Sequence, residues 1–164
     1  MKVLILSGPP GYGKSTYVEA LNCDKQVVSA DTFFMKDGVY CYSPLQVGEA
    51  HRACLRLFNL VASGTGFQKP DLLIVDNTNV SLVEMAPYIR IAQAYGYEVE
   101  IHAFRVLRKN VHGVPHTKVL QMSDQHLLML ENDACMRYSD VVDGQVLQSK
   151  VFRCPVIVHA QGDA

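Results

Sequence analysis

Several features that define whole classes of protein are missing from this sequence. Positive charge is not in excess, because 15 Lys and Arg residues stand against 16 Asp and Glu residues, for a formal net charge of −1. An extended surface that grips duplex nucleic acid through many phosphates is therefore not expected, although a local basic pocket is compatible with this charge. No run approaches the roughly 20 apolar residues of a membrane-spanning helix, so we expect no membrane association.

Cysteine is present, but without a pattern. The five cysteines form an odd number, and no two have the C-x-x-C spacing of a zinc site or a redox pair. We therefore expect free thiols in a reducing compartment, the cytoplasm. The apolar run at residues 3–6 is shorter than the roughly 7–15 residues of a signal-peptide core, which agrees with that location.

Internal repeats, low-complexity tracts and linkers are also absent, so we predict one domain over residues 1–164. Short apolar runs alternate with longer segments of helical period. This alternation predicts an α/β fold in which a mostly parallel sheet of about five strands has helices on both faces. Residues 133–164 fit either a hairpin or one more core strand. The predicted strands are 3–6, 27–28, 72–75, 99–104 and 156–158, and the predicted helices are 15–21, 44–64, 84–95 and 115–132.

A glycine-rich run, "GPPGYGKS", joins the first predicted strand to the first predicted helix and fits G-x-x-x-x-G-K-S without a mismatch. Glycines let backbone N–H groups point inward at phosphate oxygens, where a Cβ would block the turn. Lys14 would neutralise phosphate oxygens, and the Ser15 hydroxyl would coordinate Mg²⁺. The motif predicts a cradle for a nucleoside triphosphate such as ATP. Its predicted binding residues are Gly8, Pro10, Gly11, Tyr12, Gly13, Lys14, Ser15 and Thr16.

Two aspartates follow other predicted strands and should face the same crevice, because the carboxyl ends of parallel strands converge there. Asp31 follows residues 27–28 and is either a general base for an acceptor hydroxyl or a cap for the next segment. Asp76 ends the third strand, at a position suited to orienting Mg²⁺ together with Ser15. The polar run 77–79 lines the crevice or forms a turn. The N-K-x-D motif with which GTPases read guanine is absent.

The segments "GPPGYGKST", "SADTFF", "EAH", "VDNTN" and "HGVP" occur in this order over residues 2–122. In this the chain resembles P-loop polynucleotide kinases of the bacteriophage 5′-kinase type and the AAA-domain small kinases. The resemblance implies the three-layer P-loop kinase fold. It also implies ATP-dependent, Mg²⁺-assisted transfer of the γ-phosphate to the 5′-hydroxyl end of DNA or RNA.

The resemblance also implies roles for individual residues. Asp31 matches the carboxylate that activates the 5′-hydroxyl, and Asn77 and Thr78 match a step that holds acceptor phosphate or organises the site. A short basic lid over residues 105–116 would contact the donor phosphates, with Arg108 as a substitute for an expected arginine. The catalytic residues implied in this way are Asp31, Lys14, Arg105 and Lys109.

The acceptor pocket departs from the family pattern. Phe33 and Phe34 stand where the bacteriophage enzymes carry an arginine, and they either stack on a base or belong to the core. His51 lies beside the expected crevice, or packs a helix. The predicted substrate-binding residues are Phe33, Phe34, His51, Asn77, Thr78 and Asn79.

Other functions stay open at this level. The acceptor could instead be a hydroxymethylated base, a nucleoside or another small hydroxyl compound. A nucleotide-binding module without catalysis is a further alternative, against which the presence of both Lys14 and Asp31 argues. The chain length leaves no room for a fused phosphatase or ligase domain, so we expect any repair partner to be another chain.

Overall fold

The computed structural model describes residues 1–66, 68–105, 114–137 and 141–160. Eight strands lie in these ranges: β1 Lys2–Ser7, β2 Gln26–Val28, β3 Met35–Lys36, β4 Val39–Tyr40, β5 Leu72–Asp76, β6 Glu98–Phe104, β7 Val146–Gln148 and β8 Pro155–His159. The α-helices are α1 Lys14–Ala20, α2 Val47–Ser63, α3 Leu82–Ala94 and α4 His116–Ala134, and two short 3₁₀ helices span Ala30–Phe34 and Pro44–Gln46. None of the helices in these ranges is long and apolar enough to cross a membrane.

The main sheet has the strand order β2-β5-β1-β6-β8-β7. The first five strands in this order are parallel, and β7 is antiparallel to β8. This confirms the predicted α/β class and mostly parallel sheet, with β7 as a sixth, edge strand. In the register, Leu6 lies opposite Asp76 of β5 and Ser7 lies opposite Ala103 of β6. The carboxyl ends of β5, β1 and β6 therefore meet at one edge of the sheet.

Both faces of the sheet are covered. Successive residues of β1 point to opposite faces, so Val3 and Ile5 join a core cluster with α2 and α3, whereas Leu4 and Leu6 join a second cluster with α1. The apolar runs of the central strands are nearly continuous because both of their faces are buried. The result is the three-layer arrangement that the sequence predicts.

Helix α3 begins two residues before the predicted start. The Ser81 hydroxyl accepts a hydrogen bond from the N–H of Glu84, and the Glu84 carboxylate accepts one from the N–H of Ser81, which forms a capping box. Pro87 is therefore the sixth residue of the helix, whereas the predicted start at residue 84 would place it in the first turn. Its ring nitrogen cannot donate to the carbonyl of Val83, an exposed residue in the first turn.

The carboxyl-terminal segment combines the two predicted alternatives, since β7 and β8 form a hairpin and β8 also extends the parallel sheet beside β6. The buried Asp133 near the end of α4 holds this hairpin. Its carboxylate accepts hydrogen bonds from the Ser149 hydroxyl at 2.6 Å and the Val151 N–H at 3.0 Å.

A second hairpin, β3–β4, was not predicted. Its turn is Asp37-Gly38, and both residues have positive φ angles, 50° and 77°. Asp-Gly is a strong signal for a two-residue hairpin turn, and it was present in the sequence.

Candidate active site

The glycine-rich loop lies between β1 and α1 at the carboxyl edge of the sheet. A Cβ on Gly8 would come within 3.0 Å of the Phe104 carbonyl oxygen and 3.2 Å of its Cβ, so only glycine allows β1 and β6 to approach here. Gly11 and Gly13 have φ angles of 81° and 93°, which L side chains rarely adopt. The backbone is therefore shaped as a concave loop that side chains at these positions would disrupt.

Lys14, the first residue of α1, is folded over this loop. Its buried ammonium group donates hydrogen bonds to the carbonyl oxygens of Gly8 at 2.6 Å and Pro9 at 2.9 Å. Burial lowers the pKa of Lys14 to about 8, while the carboxylates of Asp76 and Asp31 act in the opposite direction. Both carboxylates thus act on this ammonium group, and the structure brings together Lys14, Asp31 and Asp76 from three separate parts of the chain.

Asp31 lies in the 3₁₀ helix that follows β2, and its side chain is exposed. The cap of this helix is Ser29, whose hydroxyl accepts from the Asp31 N–H at 3.2 Å, so the carboxylate of Asp31 is not used for capping. Instead, the Tyr40 hydroxyl donates a hydrogen bond to Asp31 Oδ1 at 3.1 Å. Burial, with the neighbouring Asp31 charge, raises the pKa of Tyr40 to about 12, so this hydroxyl stays a donor at neutral pH.

The polar run 77–79, which follows β5, forms hydrogen bonds to neighbouring segments at this edge of the sheet. The Asn77 side-chain oxygen accepts from the Ala30 N–H at 2.8 Å, which attaches the 3₁₀ helix carrying Asp31 to β5. The Thr78 carbonyl accepts from the Gly8 N–H at 2.7 Å, and the Asn79 amide donates to the Leu6 carbonyl at 2.8 Å. Asn77 and Asn79 are buried. Of the two roles implied by the resemblance, these contacts favour organising the site.

A chain of hydrogen-bonded polar side chains that the sequence did not predict lies beside the loop, and all of its members are buried except Arg105, which is half-buried. It runs from Tyr12 through Ser123, Arg105 and His126 to Ser7, with separations of 2.9 Å, 3.1 Å, 2.9 Å and 2.9 Å in that order. Because a guanidinium group can only donate, His126 Nδ1 accepts from Arg105, and its Nε2–H donates to the Ser7 hydroxyl. Ser7 in turn donates to the Asn79 carbonyl at 2.7 Å. We call these five side chains the polar relay.

The polar relay gives Arg105 contacts other than those expected of a lid residue. Its guanidinium group bonds to α4 and lies 5.4 Å from the ring centroid of Tyr12 in the loop. Burial, and then the charges of Arg105 and Lys14, lower the pKa of His126 well below its usual range, so the ring is neutral. Ser123 and His126 lie three residues apart on one helical face, and this spacing was the only signal for them in the sequence.

The other predicted site residues are distributed as follows. Ser15 and Thr16 are exposed in the first turn of α1, and His51 is exposed on α2. Phe34 is 3% exposed and belongs to the core, as one of its two predicted alternatives proposed, and Phe33 packs partly buried against that core. Arg108 and Lys109, with the rest of the lid from 106 to 113, lie outside the described residues.

A second group of ionisable side chains lies on β6 and β8. His102 bonds to His159 at 2.8 Å and to Glu100 at 3.0 Å, and His159 stacks on Phe104 with ring centroids 4.5 Å apart. Burial lowers the pKa of His159 to about 4. Within the described ranges, no group of three or more His, Cys, Asp or Glu side chains is arranged to hold a metal ion.

The fold and the loop define a class: a nucleotide-binding protein with the P-loop kinase fold. A family model described as "AAA domain", AAA_33, matches residues 3–112, and the chain belongs to this family. The family predicted from the sequence motifs is thereby confirmed.

Individual proteins are similar to this chain in sequence or in fold. Human NEDD4-binding protein 2 is 29% identical over 137 residues, which are 76% of this chain but only 8% of that protein, so the chain spans less than a tenth of its length. A chain of the Pnkp1/Rnl/Hen1 RNA repair complex shares the fold with a TM-score of 0.60 at 19% identity, covering 92% of this chain and 53% of that one. Kti12 from Chaetomium thermophilum, in complex with ADP-AlF3, aligns with a TM-score of 0.57 at 12% identity, covering 99% and 90%.

Proposed function

We propose that this chain is an ATP-dependent kinase that transfers the γ-phosphoryl group to the 5′-hydroxyl end of a DNA or RNA strand. The observation that carries the proposal is the convergence of Lys14 with two carboxylates, Asp31 and Asp76, at the carboxyl edge of one sheet. A module that only binds nucleotide needs the lysine but has no use for an exposed carboxylate beside it. The ADP-AlF3 complex of Kti12 and the RNA repair complex support an adenine nucleotide and a nucleic-acid acceptor.

The residues present fit a nucleotide with its Mg²⁺ ion. The loop is a concave backbone that a Cβ at Gly8 would distort, and Lys14 supplies a cation over it. Ser15 and Asp76 offer the oxygen ligands that Mg²⁺ prefers and would hold the ion. When bound, Mg²⁺ neutralises charge that develops on the transferring phosphoryl group.

In the proposed reaction, Asp31 takes the proton of the acceptor hydroxyl as its oxygen attacks the γ-phosphorus. A bond forms between that oxygen and phosphorus, and the bond from phosphorus to the leaving diphosphate breaks. Lys14 stabilises the charge on the phosphate oxygens. Tyr40 holds one oxygen of the Asp31 carboxylate and leaves the other for the acceptor. We also propose that residues 1–164 act as one cytoplasmic domain with a lid over 105–116.

Label transfer from γ-labelled ATP tests the proposal. The acceptors are 5′-hydroxyl DNA, 5′-hydroxyl RNA, nucleosides and DNA with hydroxymethylated bases. We expect label on the 5′-hydroxyl strands, with an acceptor affinity that falls steeply as salt is added, because several phosphates are held. Label on nucleosides alone, or ATP binding with no transfer to any acceptor, would contradict the proposal.

The variant Asp31→Asn tests the base. It should lower kcat about 10²-fold or more and leave ATP affinity nearly unchanged, because the amide cannot accept the proton. Asp37→Asn is the matched control, since Asp37 is another exposed carboxylate, in the turn of the β3–β4 hairpin. Normal turnover of Asp31→Asn would remove Asp31 from the role of base.

A further inference from the structure

Two half-exposed tyrosines lie beside the proposed base. Tyr40 ends the β3–β4 hairpin and is 46% exposed, and Tyr42, two residues later, is 56% exposed. We call them the tyrosine pair. Scattered exposed aromatic residues are common, but these two adjoin the carboxylate that must meet the acceptor.

The tyrosine pair is held in place by packing. The two ring planes lie within 15° of parallel, with centroids 6.4 Å apart. Both rings contact the buried ring of Phe34, whose centroid is 6.0 Å from that of Tyr40 and 5.2 Å from that of Tyr42. The Cys41 N–H donates to the Phe34 carbonyl at 2.7 Å and fixes the backbone between the two tyrosines. The rings are therefore ordered before any ligand arrives, which lowers the entropic cost of binding.

The tyrosine pair is also coupled to the chemistry. The Tyr40 hydroxyl donates a hydrogen bond to Asp31 Oδ1 at 3.1 Å, so the Tyr40 side chain lies directly beside the proposed base. In a polynucleotide, the sugar that carries the reacting 5′-hydroxyl also carries the terminal base. A 5′-hydroxyl at Asp31 therefore brings that base to the neighbourhood of the tyrosine pair.

We infer that the tyrosine pair stacks on the unpaired terminal base of a single-stranded acceptor. This rests on the proposed function and names its substrate class: strands with a free, unpaired 5′ end, in preference to small hydroxyl compounds and blunt duplexes. Aromatic rings bind any base through its π face, so the preference is for structure and not for sequence. The base-stacking surface considered for Phe33 and Phe34 is supplied instead by residues that the buried Phe34 supports.

The experiment compares acceptor kinetics of Tyr42→Leu, Tyr42→Trp and Tyr40→Phe with those of the wild type. The acceptors are a single-stranded 5′-hydroxyl oligonucleotide, the same strand with abasic sites at its first two positions, and a blunt duplex. We expect Tyr42→Leu to raise KM for the intact strand roughly tenfold or more, since a stacking ring is lost. Tyr42→Trp, which retains a π face, should restore KM.

The abasic strand and the second tyrosine separate stacking from other effects. The abasic strand should be a poor acceptor for the wild type, and Tyr42→Leu should make it little worse, because the partner base is already missing. Tyr40→Phe keeps the ring and removes the bond to Asp31, so kcat should fall while KM for the strand stays the same. Tyr95→Leu, which changes an exposed tyrosine at the far end of α3, is the control and should alter neither constant.

Three results would overturn the inference. If Tyr42→Leu labels the intact strand with wild-type KM, stacking is absent although the proposed kinase function stands. If Tyr42→Leu raises KM equally for the intact and the abasic strand, Tyr42 contacts something other than the base. If light scattering shows that Tyr42→Leu abolishes a dimer, the tyrosine pair contacts a second copy of this chain. Failure of the wild type to label any strand would instead refute the proposed function itself.

Discussion

Lys14 is subject to two opposing effects on the charge of its side chain. The motif demands a cation at this position, and the fold buries its side chain, which lowers the pKa to about 8. Two carboxylates, Asp76 and Asp31, partly offset the effect of burial. The ammonium form is therefore favoured only up to a pH close to the physiological range.

This property predicts a pH dependence of nucleotide affinity. Above pH 8, free protein carries increasing amounts of neutral Lys14, whereas bound phosphates require the charged form. ATP affinity should therefore fall by up to about tenfold per pH unit above pH 8 and stay nearly constant just below it. Titration calorimetry at pH 7, 8 and 9 measures it.

Lys14→Arg is the matched control, because a guanidinium group stays charged throughout this range. Its ATP affinity, although weaker at pH 7, should be nearly constant from pH 7 to 9. An equally flat profile for the wild type would show that Lys14 does not titrate there.

At the scale of elements, the polar relay joins parts that the sequence keeps far apart. Ser7 ends β1, Arg105 follows β6, and His126 lies in α4, yet they form consecutive hydrogen bonds. The Ser7 hydroxyl also donates a hydrogen bond to the carbonyl of Asn79, which follows β5 in the chain. The loop and the first residue of the predicted lid are thus attached to the same helix.

His126→Leu should lower the free energy of unfolding by about 2–4 kcal/mol, because it leaves the buried Ser7 hydroxyl and a nitrogen of Arg105 without this partner. ATP affinity should fall as well, since Arg105 also packs on Tyr12 of the loop. Urea denaturation and ATP titration measure the two effects. Gln125→Leu changes an exposed residue of the same helix, outside the predicted lid, and should alter neither. Wild-type stability in His126→Leu would mean that the polar relay contributes nothing net.

At the scale of the whole molecule, three of the histidines that the structure describes favour the neutral form in the folded state. Burial lowers the pKa of His102, His126 and His159. In the unfolded chain each histidine binds a proton below about pH 6.5, but in the folded protein it does so only at lower pH. The unfolded state therefore binds more protons, and stability must decrease as the pH falls below about 6.5.

We expect a clearly lower free energy of unfolding at pH 5.0 than at pH 7.5. His126 alone contributes a slope of up to about 1.4 kcal/mol per pH unit below pH 6.5. Urea denaturation at several pH values measures this slope. His126→Gln, whose amide can still accept from Arg105 and donate to Ser7, should reduce the slope, and an unchanged slope would exclude His126 as a cause.

Much of the architecture could be predicted because its signals are local. All five predicted strands occur within one residue of their expected bounds. Helix α2 ends at Ser63, one residue before the predicted end, and Gly64 is its C-cap with a φ of 76°. The predicted start of α3 lies two residues too late because it leaves out the Ser81 capping box, and the predicted strands do not include the hairpin around the Asp37-Gly38 turn. The roles assigned to the site residues stay predictions.

The glycine loop, Lys14 and the alternation of strands and helices follow from the amino-acid sequence alone. Steric demands on single residues and the periodicity of apolar side chains act over a few neighbouring positions, so they can be recognised in the sequence. The hydrogen bonds of His126 to Ser7, 119 positions away, and of Tyr40 to Asp31 depend on how the chain folds in three dimensions. A polar group that the fold buries needs a hydrogen-bond partner. Which groups become buried together depends on the whole fold, so no local sequence pattern predicts these pairs.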